Sequence, residues 1–562
     1  MKYRGLVGFL CPAAVCLAAM PVTAKHGMVS AQEPIAAKVG LSVLKSGGNA
    51  VDAAIATGFA LAVTHPYAGN LGGGGFMLVR LANGKTAFLD FRECAPAKAT
   101  RNMYIGPDGK PTKESIEGWR SSGVPGSVAG FAAAYKKFGS KPWEQLLAPA
   151  IKLAREGFTV SPEFAKSLRS HSKRLAQYPE SKKIFLRDGD LYKPGDIFKQ
   201  PELAATLERI AKYGAQDFYH GEIAHQFAAA MAAHGGLITL ADLARYKVYD
   251  RKPLTGDYHG FHIITAPPPS AGGVGILQMM YMLEGTHYAS DGPDSAKAVH
   301  YEAEAMRRFY ADRSAYLGDP AYYKIPVHAL LSPNYIARRR STIKPDRATP
   351  SSQVAPGLKQ KPIRKTGWKE SNETTHYNVV DAKGDAVAVT YTLNNGYGNA
   401  ITVPGLGFLL NDEMDDFAAK PGAPNMYGLT GSAVNAIAPG KRPLSSMSPT
   451  IITKNGKFFM AVGAPGGARI TTGVMEVILH VLDFHMNVED AVNLPRFHEQ
   501  WKPATLYLAH GFPQNAAKAL RKMGYHTQPT DGVARVIAVV AKNGLLEGGT
   551  DSSRPNNVAV GY

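Results

Sequence analysis

The chain has only three cysteines among its 562 residues. Cys11 and Cys16 lie in an apolar N-terminal stretch that we interpret as a secretory signal, so Cys94 would be alone in the mature chain. A single cysteine forms no intramolecular disulfide, and an exported protein of this kind depends on its hydrophobic core for stability. With this length and 45% hydrophobic residues, a large core is available.

The sequence also lacks the signatures of several common sites. Its 17 histidines show no HExxH or comparable zinc-ligand spacing. The glycine run 72–75 has no following Lys-Ser/Thr, so a P-loop is unsupported and close backbone packing is the preferred interpretation. We expect no metal and no organic cofactor.

Long apolar runs are missing as well. Leu6 to Met20 is too short for a comfortable membrane span, and Lys2 and Arg4 give it the basic start of an export signal. The small residues 22–24 predict cleavage after Ala24. We therefore expect export to the periplasm or the outside, without stable membrane insertion after signal removal. A retained anchor is the alternative.

Acidic residues are outnumbered, 45 against 63 Lys and Arg, for a net charge of +18. The excess lies almost wholly before Thr374. The run 338–340 is all arginine, but no nucleic-acid fold signature accompanies it, so a solvated helix face is favoured and no nucleic-acid partner is expected. The charge can favour anionic substrates without defining a function.

The segment 373–381 places Thr374 and Thr375 directly before an apolar, β-prone run. Alone, both are ordinary strand residues, because β-branched side chains suit a pleated surface. About 190 residues follow, enough for a compact domain. If the chain were cut after Glu373, Thr374 would carry a nucleophilic hydroxyl and, in its freed amine, the base that activates it.

Several further short motifs follow one another along the chain. They are the segments 47–54, 64–66, 72–76, 90–93, 267–270, 390–394, 410–417, 441–450 and 463–469. With the threonine pair, they resemble the γ-glutamyltranspeptidase family of N-terminal-nucleophile hydrolases, from about Gly27 to the C-terminus. Ala464, Ala468 and the segments 395–398 and 550–555 depart from the common family pattern, which leaves rate and acceptor choice open.

The resemblance implies an α/β (α+β) fold, a four-layered αββα sandwich of the N-terminal-nucleophile hydrolase type. Sequence pattern alone supports only mixed α/β. Autocleavage would divide the chain into a signal peptide (1–24), a large subunit (25–373) and a small catalytic subunit (374–562), which stay together as a heterodimer. The Pro-, Lys- and Gly-rich stretch 353–373 is predicted to be an exposed linker leading to the cleavage point.

Periodicity and turn signals predict individual elements. Helices are expected over 37–44, ending at Gly47, over 53–63, and over 474–483. The regions 124–240 and 291–340 are predicted to be mainly helical. Strands are expected over 76–80 and 86–91, on either side of the Asn83-Gly84 turn, and over 258–266.

The resemblance also implies the catalytic groups. Thr374 is the nucleophile, Thr392 orients its hydroxyl from a neighbouring strand, and Gly466 and Gly467 present backbone N–H groups to the oxyanion. Without the family pattern, Thr392 is a plain strand threonine and the glycines form a tight turn. His376 is interpreted as a packed, hydrogen-bonded strand residue.

A γ-glutamyl donor ends in a zwitterion, which needs cationic or neutral donors for its carboxylate and acceptors for its ammonium. Arg92, Ser445 and Ser446 would hold the carboxylate, and the ammonium would contact Asn394, Glu413 and Asp416. Tyr427 is carried over as a lid residue. The alternatives are a surface ion pair of Arg92 with Glu93, a turn before Ser448-Pro449, and an acidic loop facing water.

The implied activity is γ-glutamyl transfer from glutathione, glutamine or related donors to water, an amino acid or a dipeptide. A glutaryl-type acylase acting on β-lactam side chains is one alternative, and it would not need an ammonium pocket. A catalytically silent exported binding protein is the other, and it predicts an uncut chain.

Overall fold

The structure is a computed structural model that describes residues 20–358, 373–419, 432–553 and 555–562. Its strands are β1 (Val22–Ala24), β2 (Met28–Ala31), β3 (Gly74–Arg80), β4 (Thr86–Phe91), β5 (Phe158–Thr159), β6 (Ile197–Phe198), β7 (Tyr249–Arg251), β8 (Leu254–Tyr258), β9 (Phe261–Thr265), β10 (Thr375–Val380), β11 (Ala386–Thr392), β12 (Thr450–Lys454), β13 (Lys457–Gly463), β14 (Phe497–Glu499), β15 (Leu506–Ala509), β16 (Thr527–Thr530), β17 (Ile537–Lys542), β18 (Leu545–Thr550) and β19 (Val558–Gly561).

The α-helices of the same residues complete the architecture. They are α1 (Pro34–Lys45), α2 (Ala50–Thr64), α3 (Ser127–Phe138), α4 (Trp143–Glu156), α5 (Pro162–Leu175), α6 (Pro179–Leu186), α7 (Pro201–Tyr213), α8 (Ala215–Tyr219), α9 (Glu222–Ala233), α10 (Leu240–Arg245), α11 (Gly272–Leu283), α12 (Ala296–Tyr316), α13 (Val327–Leu330), α14 (Pro333–Arg340), α15 (Ile470–Leu482), α16 (Val488–Asn493) and α17 (Gln514–Lys522).

Two seven-stranded sheets lie at the centre. One has the strand order β1-β18-β17-β13-β12-β9-β8 and the other β19-β2-β10-β11-β3-β4-β7. All pairs within these two sheets are antiparallel. Strands β10 and β11 pack against β13 and β17 of the other sheet.

Helices cover the outer face of each sheet. Strand β3 is buried on both faces. Its Phe76 and Leu78 join the core between the sheets, while Met77 and Val79 join the core beneath α1 and α2. Side chains of a strand alternate between faces, so one strand serves two cores. Helices α11, α12 and α15 pack on the first sheet, and the result is the four-layered αββα sandwich that the family resemblance implies.

Helix α2 shows how the sequence builds the outer layer. Asn49 accepts hydrogen bonds from the N–H groups of Val51 and Asp52, and the Asp52 side chain accepts one from the Asn49 N–H in return. This capping box satisfies backbone donors that a helix start leaves open. All fifteen residues of α2 are buried, as predicted for 53–63.

The predicted strand over 258–266 is wrong in one respect. The structure has two strands there, β8 and β9, joined at His259 and Gly260, which both have positive φ. Gly260 marks the break, because a glycine inside a strand pattern signals a turn or bulge, and the prediction joined the apolar residues on both sides of it into one strand. The other predicted helices and strands are confirmed within a few residues.

The N-terminal end of the described chain joins a sheet. Val22, Thr23 and Ala24 pair with Gly548, Glu547 and Leu546 of β18. Cleavage after Ala24 stays a prediction, and it would remove this edge strand. Within the described ranges, no helix is both long and apolar enough to cross a membrane.

Candidate active site

Thr374 and Thr392 lie together at one end of the central sheet. Strand β10 begins at Thr375, which pairs with Tyr391 of β11, so the neighbouring residues Thr374 and Thr392 meet at the strand ends. Their hydroxyl oxygens are 3.3 Å apart. Both residues are buried, which keeps bulk water from the pair.

The carbonyl of Glu373 completes this cluster. Its oxygen lies 2.8 Å from Thr374 Oγ1 and accepts a hydrogen bond of 2.9 Å from Thr392 Oγ1. The Thr392 hydroxyl in turn accepts one from the N–H of Asn394, at 2.9 Å. A hydroxyl that accepts from the backbone directs its own proton elsewhere, here to the Glu373 carbonyl.

Arg92 is not a surface residue paired only with Glu93. Its guanidinium is buried and donates through Nη1 to Glu413 and through Nη2 to Asp416, while Glu93 Oε2 lies 3.4 Å from Nη1. The predicted carboxylate ligand and two of the predicted ammonium ligands are therefore ion-paired with each other. The cluster therefore contains a cation suited to the carboxylate of a zwitterion and anions suited to its ammonium, and these protein groups are paired with each other.

Three carboxylates around one guanidinium cannot all be ionised without cost. Burial raises the pKa of Glu413 to about 8, against the lowering effect of Arg92 and with a further rise from Glu93. Burial likewise raises the pKa of Glu93. Near neutral pH the cluster therefore retains a proton, and an additional cation beside it would favour release of that proton.

Ser445 and Ser446 lie beside this cluster, on a turn anchored from two directions. The N–H of Ser445 donates to the Pro269 carbonyl at 2.9 Å, and Arg313 Nη2 donates to Ser446 Oγ at 3.1 Å. Arg313 is buried in the last turn of α12. It was not predicted, because no motif marks a helix residue more than a hundred positions away from the serine that it contacts.

Asparagine side chains position the acidic segment. Asn411 Nδ2 donates to the carbonyls of Gly72 and Gly123, at 2.7 and 2.8 Å, and its Oδ1 accepts from the Glu413 N–H at 3.0 Å. Asn394 Nδ2 donates to the Asp412 carbonyl at 2.9 Å. Asn394 thus ties the acidic segment to the end of β11, which carries Thr392, and Asn411 ties it to the segment before β3.

The glycine run 72–75 explains why these parts come so close. A Cβ on Gly73 would lie 2.0 Å from the Thr392 carbonyl oxygen, and one on Gly72 would lie 2.1 Å from the Leu409 oxygen. Only glycine allows this approach. The close-packing interpretation is therefore confirmed.

Gly466 and Gly467 form a turn with positive φ at both residues, 137° and 56°. A Cβ on Gly466 would lie 2.7 Å from the Ala534 Cα. The turn leads through a 3₁₀ segment, Gly467–Arg469, directly into α15. Backbone N–H groups at such a helix start are suited to a developing negative charge.

A cavity of about 20 Å³ joins these groups, with room for roughly one water molecule. It is lined by Arg92, Thr374, Thr392, Asn394, Glu413, Asp416, Ser445, Ser446, Met447, Gly467 and Ile470. Gly466 adjoins it through Gly467, and Tyr427 lies outside the described residues. A γ-glutamyl group is larger than this cavity.

His376 contributes no base. It is fully buried in β10, and its ring nitrogens contact Thr390 Oγ1 at 2.8 Å and Asn378 Oδ1 at 3.0 Å. Burial lowers its pKa to about 3, so the ring is neutral. Among the residues the structure describes, no group of His, Cys, Asp and Glu side chains has the arrangement of a metal site.

A larger cavity, of about 920 Å³, lies where the C-terminal ends of α11 and α15 approach β13 and β17. Asp483 lines it and accepts hydrogen bonds of 2.6 Å from the hydroxyls of Tyr258 and Tyr288. None of the predicted site residues lines this cavity. The smaller cavity, where the threonines and the zwitterion ligands converge, is the candidate active site.

Comparisons with known proteins agree with this geometry. Residues 36–561 match the sequence profile described as Gamma-glutamyltranspeptidase. The "Glutathione hydrolase proenzyme" of Escherichia coli (strain K12) is 47% identical over 96% of this chain and 93% of its own length. The cephalosporin acylase from Bacillus halodurans has a TM-score of 0.85 at 28% identity, over 99% of both chains. The Helicobacter pylori gamma-glutamyltranspeptidase has a TM-score of 0.58 at 44% identity, covering 62% of this chain and 98% of the other. The chain belongs to the γ-glutamyltranspeptidase family.

Proposed function

We propose that the protein is a self-processing γ-glutamyltransferase and glutathione hydrolase whose nucleophile is Thr374. One observation carries the proposal above the others. The hydroxyl of Thr374 lies beside the carbonyl of its own preceding peptide bond, and a second hydroxyl, that of Thr392, donates to the same carbonyl oxygen. An uncut chain prepared for an acyl shift has this arrangement.

Maturation begins when Thr374 Oγ1 attacks the Glu373 carbonyl carbon. The C–O bond forms, negative charge develops on the carbonyl oxygen, and the hydrogen bond from Thr392 stabilises that charge. The C–N bond then breaks, and the hydroxyl proton is transferred to the departing α-amine. Water hydrolyses the resulting ester, leaving Glu373 with a carboxylate and Thr374 with a free amine and a free hydroxyl.

Catalysis reuses the same hydroxyl. The α-amine of Thr374, with a reference pKa of about 7.7–8.0, accepts the hydroxyl proton as the oxygen attacks the γ-glutamyl carbonyl. The amine passes the proton to the departing nitrogen, and a γ-glutamyl ester remains on Thr374. The N–H groups of Gly466 and Gly467 stabilise the tetrahedral oxyanion in both halves of the reaction. Water or an amine then takes the acyl group.

Donor selection rests on the ion-paired cluster. Arg92, with Ser445 and Ser446, holds the α-carboxylate. The ammonium contacts Asn394, Glu413 and Asp416. Because the protein groups neutralise one another before binding, the zwitterion replaces existing ion pairs with equivalent ones and avoids leaving a buried charge unpaired.

The first experiment is a denaturing gel of the purified protein with N-terminal sequencing of the smaller band. We expect two chains of about 37 and 20 kDa, the smaller one beginning at Thr374. The processed protein should release p-nitroaniline from γ-glutamyl-p-nitroanilide, and T374A should stay uncut and inactive. An uncut wild-type chain without activity would support the silent binding protein instead.

The acylase alternative is supported by the structural similarity to a cephalosporin acylase over 99% of this chain. A glutaryl group has the carboxylate of a γ-glutamyl group but no ammonium. The buried carboxylates of Glu413 and Asp416 are an unfavourable environment for such a donor. Comparing glutaryl- and γ-glutamyl-p-nitroanilide separates the two activities, and D416N should shift the preference toward the glutaryl donor.

A further inference from the structure

We propose that Arg535 binds the carboxylate of the departing dipeptide, and of peptide acceptors that take its place. The ligand class is a short peptide whose C-terminal carboxylate lies two residues from the reacting amide nitrogen. This inference rests on the proposed function and adds to it a subsite for the leaving group and the acceptor.

The primary observation is an ion pair across the predicted cleavage bond. Arg535 Nη1 lies 3.7 Å from Glu373 Oε2. The side chains are 28% and 19% exposed, so the pair stands at the mouth of the site rather than in its floor. In the uncut chain, a carboxylate attached to the reacting carbonyl is therefore already held by Arg535.

The backbone places Arg535 next to the predicted oxyanion turn. Its N–H donates to the Pro465 carbonyl at 3.2 Å. The preceding residue, Ala534, packs so closely against Gly466 that Gly466 has no room for a Cβ. Arg469 Nη1 anchors the approach to this segment by donating to Thr530 Oγ1 at 2.8 Å and to the Gly532 carbonyl at 2.7 Å. These contacts fix the backbone position of Arg535.

The distances suit a dipeptide. The Glu373 side-chain carboxyl carbon is four carbon–carbon bonds from the carbonyl that Thr374 attacks, at most about 5 Å. Two peptide residues extend at most about 7 Å. With the 3.7 Å of the ion pair added, the guanidinium lies at most about 9 Å from that carbonyl. A cysteinylglycine carboxylate extended about 7 Å toward Arg535 therefore comes within hydrogen-bond distance of it.

Cleavage changes what Arg535 faces. Once the ester is hydrolysed, Glu373 is no longer bonded to Thr374, and its side chain can leave the mouth. A substrate carboxylate then replaces the Glu373 carboxylate at the guanidinium. The planar fork of arginine binds carboxylates through two parallel N–H bonds, which gives this exchange its specificity.

The test compares donors that differ only at the far carboxylate, using the processed wild-type enzyme first. Glutathione and its glycine C-terminal amide share the γ-glutamyl group, and we expect KM for the amide to be about tenfold higher. In R535Q the two KM values should become equal. For γ-glutamyl-p-nitroanilide, whose leaving group has no carboxylate, R535Q should change kcat and KM less than twofold.

Acceptors provide a second comparison. Glycylglycine should lose its advantage over glycylglycinamide in R535Q, and R535K should retain part of it. R347Q is the matched control, because Arg347 is exposed and pairs only with the adjacent Asp346 among the ion pairs of the described chain.

Three results would overturn the proposal. They are a wild-type enzyme that does not distinguish glutathione from its amide, an R535Q enzyme that still does, and an R535Q enzyme that loses all donors equally. The first comparison needs no variant, so it can overturn the proposal even if R535Q fails to mature, and R535K then tests the assignment to Arg535. A wild-type protein without activity on γ-glutamyl-p-nitroanilide would instead reject the proposed function itself.

Discussion

The Thr392 hydroxyl donates a 2.9 Å hydrogen bond to the carbonyl oxygen of Glu373. In the proposed maturation that oxygen acquires negative charge when Thr374 attacks, so Thr392 would act on the electrophile in the uncut chain. After cleavage the same hydroxyl would lie beside the nucleophile. One residue would thus serve both maturation and turnover, and the two roles can be measured separately.

T392A should slow maturation by about 10²–10³-fold, the usual cost of removing one donor to an oxyanion. A time course of the two bands on a denaturing gel measures this. T392S keeps the hydroxyl and should mature at close to the wild-type rate. Equal rates for T392A and the wild type would show that the hydrogen bond has no catalytic effect.

Donor binding should depend on pH through Glu413, whose pKa burial raises to about 8. Only the ionised carboxylate attracts an ammonium, so its fraction increases as pH rises from 6 to 8 and KM for γ-glutamyl-p-nitroanilide should fall severalfold. The KM of glutaryl-p-nitroanilide, which has no ammonium, should not follow this trend. In E413Q the trend should weaken, because Glu93 in the same cluster also has a raised pKa, and an unchanged trend would assign the titration to a group outside the cluster.

Arg313 should influence carboxylate binding through Ser446, because its guanidinium donates to the Ser446 oxygen. The serine proton is then directed to other acceptors, including a donor carboxylate. R313Q should raise KM for γ-glutamyl-p-nitroanilide about tenfold, with a smaller effect on 4-aminobutanoyl-p-nitroanilide, which lacks the carboxylate.

The double variant separates this role from simple packing. In an S446A background, R313Q should cost little more than S446A alone, because the two side chains act as one unit. If the two substitutions instead multiplied their effects on KM, Arg313 would act independently of Ser446.

G466A should impair both folding and catalysis. Its backbone lies in the left-handed region at φ 137°, and the added Cβ would lie 2.7 Å from the Ala534 Cα. We expect a loss of about 1–3 kcal/mol in stability, measured by thermal unfolding, and incomplete maturation. G532A is the control, because a Cβ there meets nothing within 4 Å and φ is not positive. Equal melting temperatures for both variants would contradict the expectation.

Local patterns predicted the elements whose periodicity ends at clear signals. The β3–β4 hairpin was predicted from Asn83-Gly84, and helix α2 from its continuous run of small apolar residues. The break between β8 and β9 was missed because Gly260 was not taken as a turn signal. The family motifs named most of the site residues, but the pairing of Arg92 with Glu413 joins positions 321 apart and needs the folded chain.

Arg313 and Arg535 show the limit more sharply. Each is one of 63 basic residues, and no neighbouring motif distinguishes it. Their relevance comes only from what lies opposite them, Ser446 in one case and Glu373 in the other. Long-range contacts of this kind are not encoded in local spacing.

The strand order of the second sheet has a consequence for the moment at which the chain becomes active. Strands β10 and β11, from the predicted small subunit, lie between β2 and β3 of the predicted large subunit. Neither piece can complete this sheet alone, so the bond before Thr374 reaches its reactive geometry only after both halves have folded together. The catalytic amine would therefore exist only in molecules that have already reached the native state. A chain that is still unfolded would be inactive. Because the cleavage is irreversible, a cut chain would be one that had already folded.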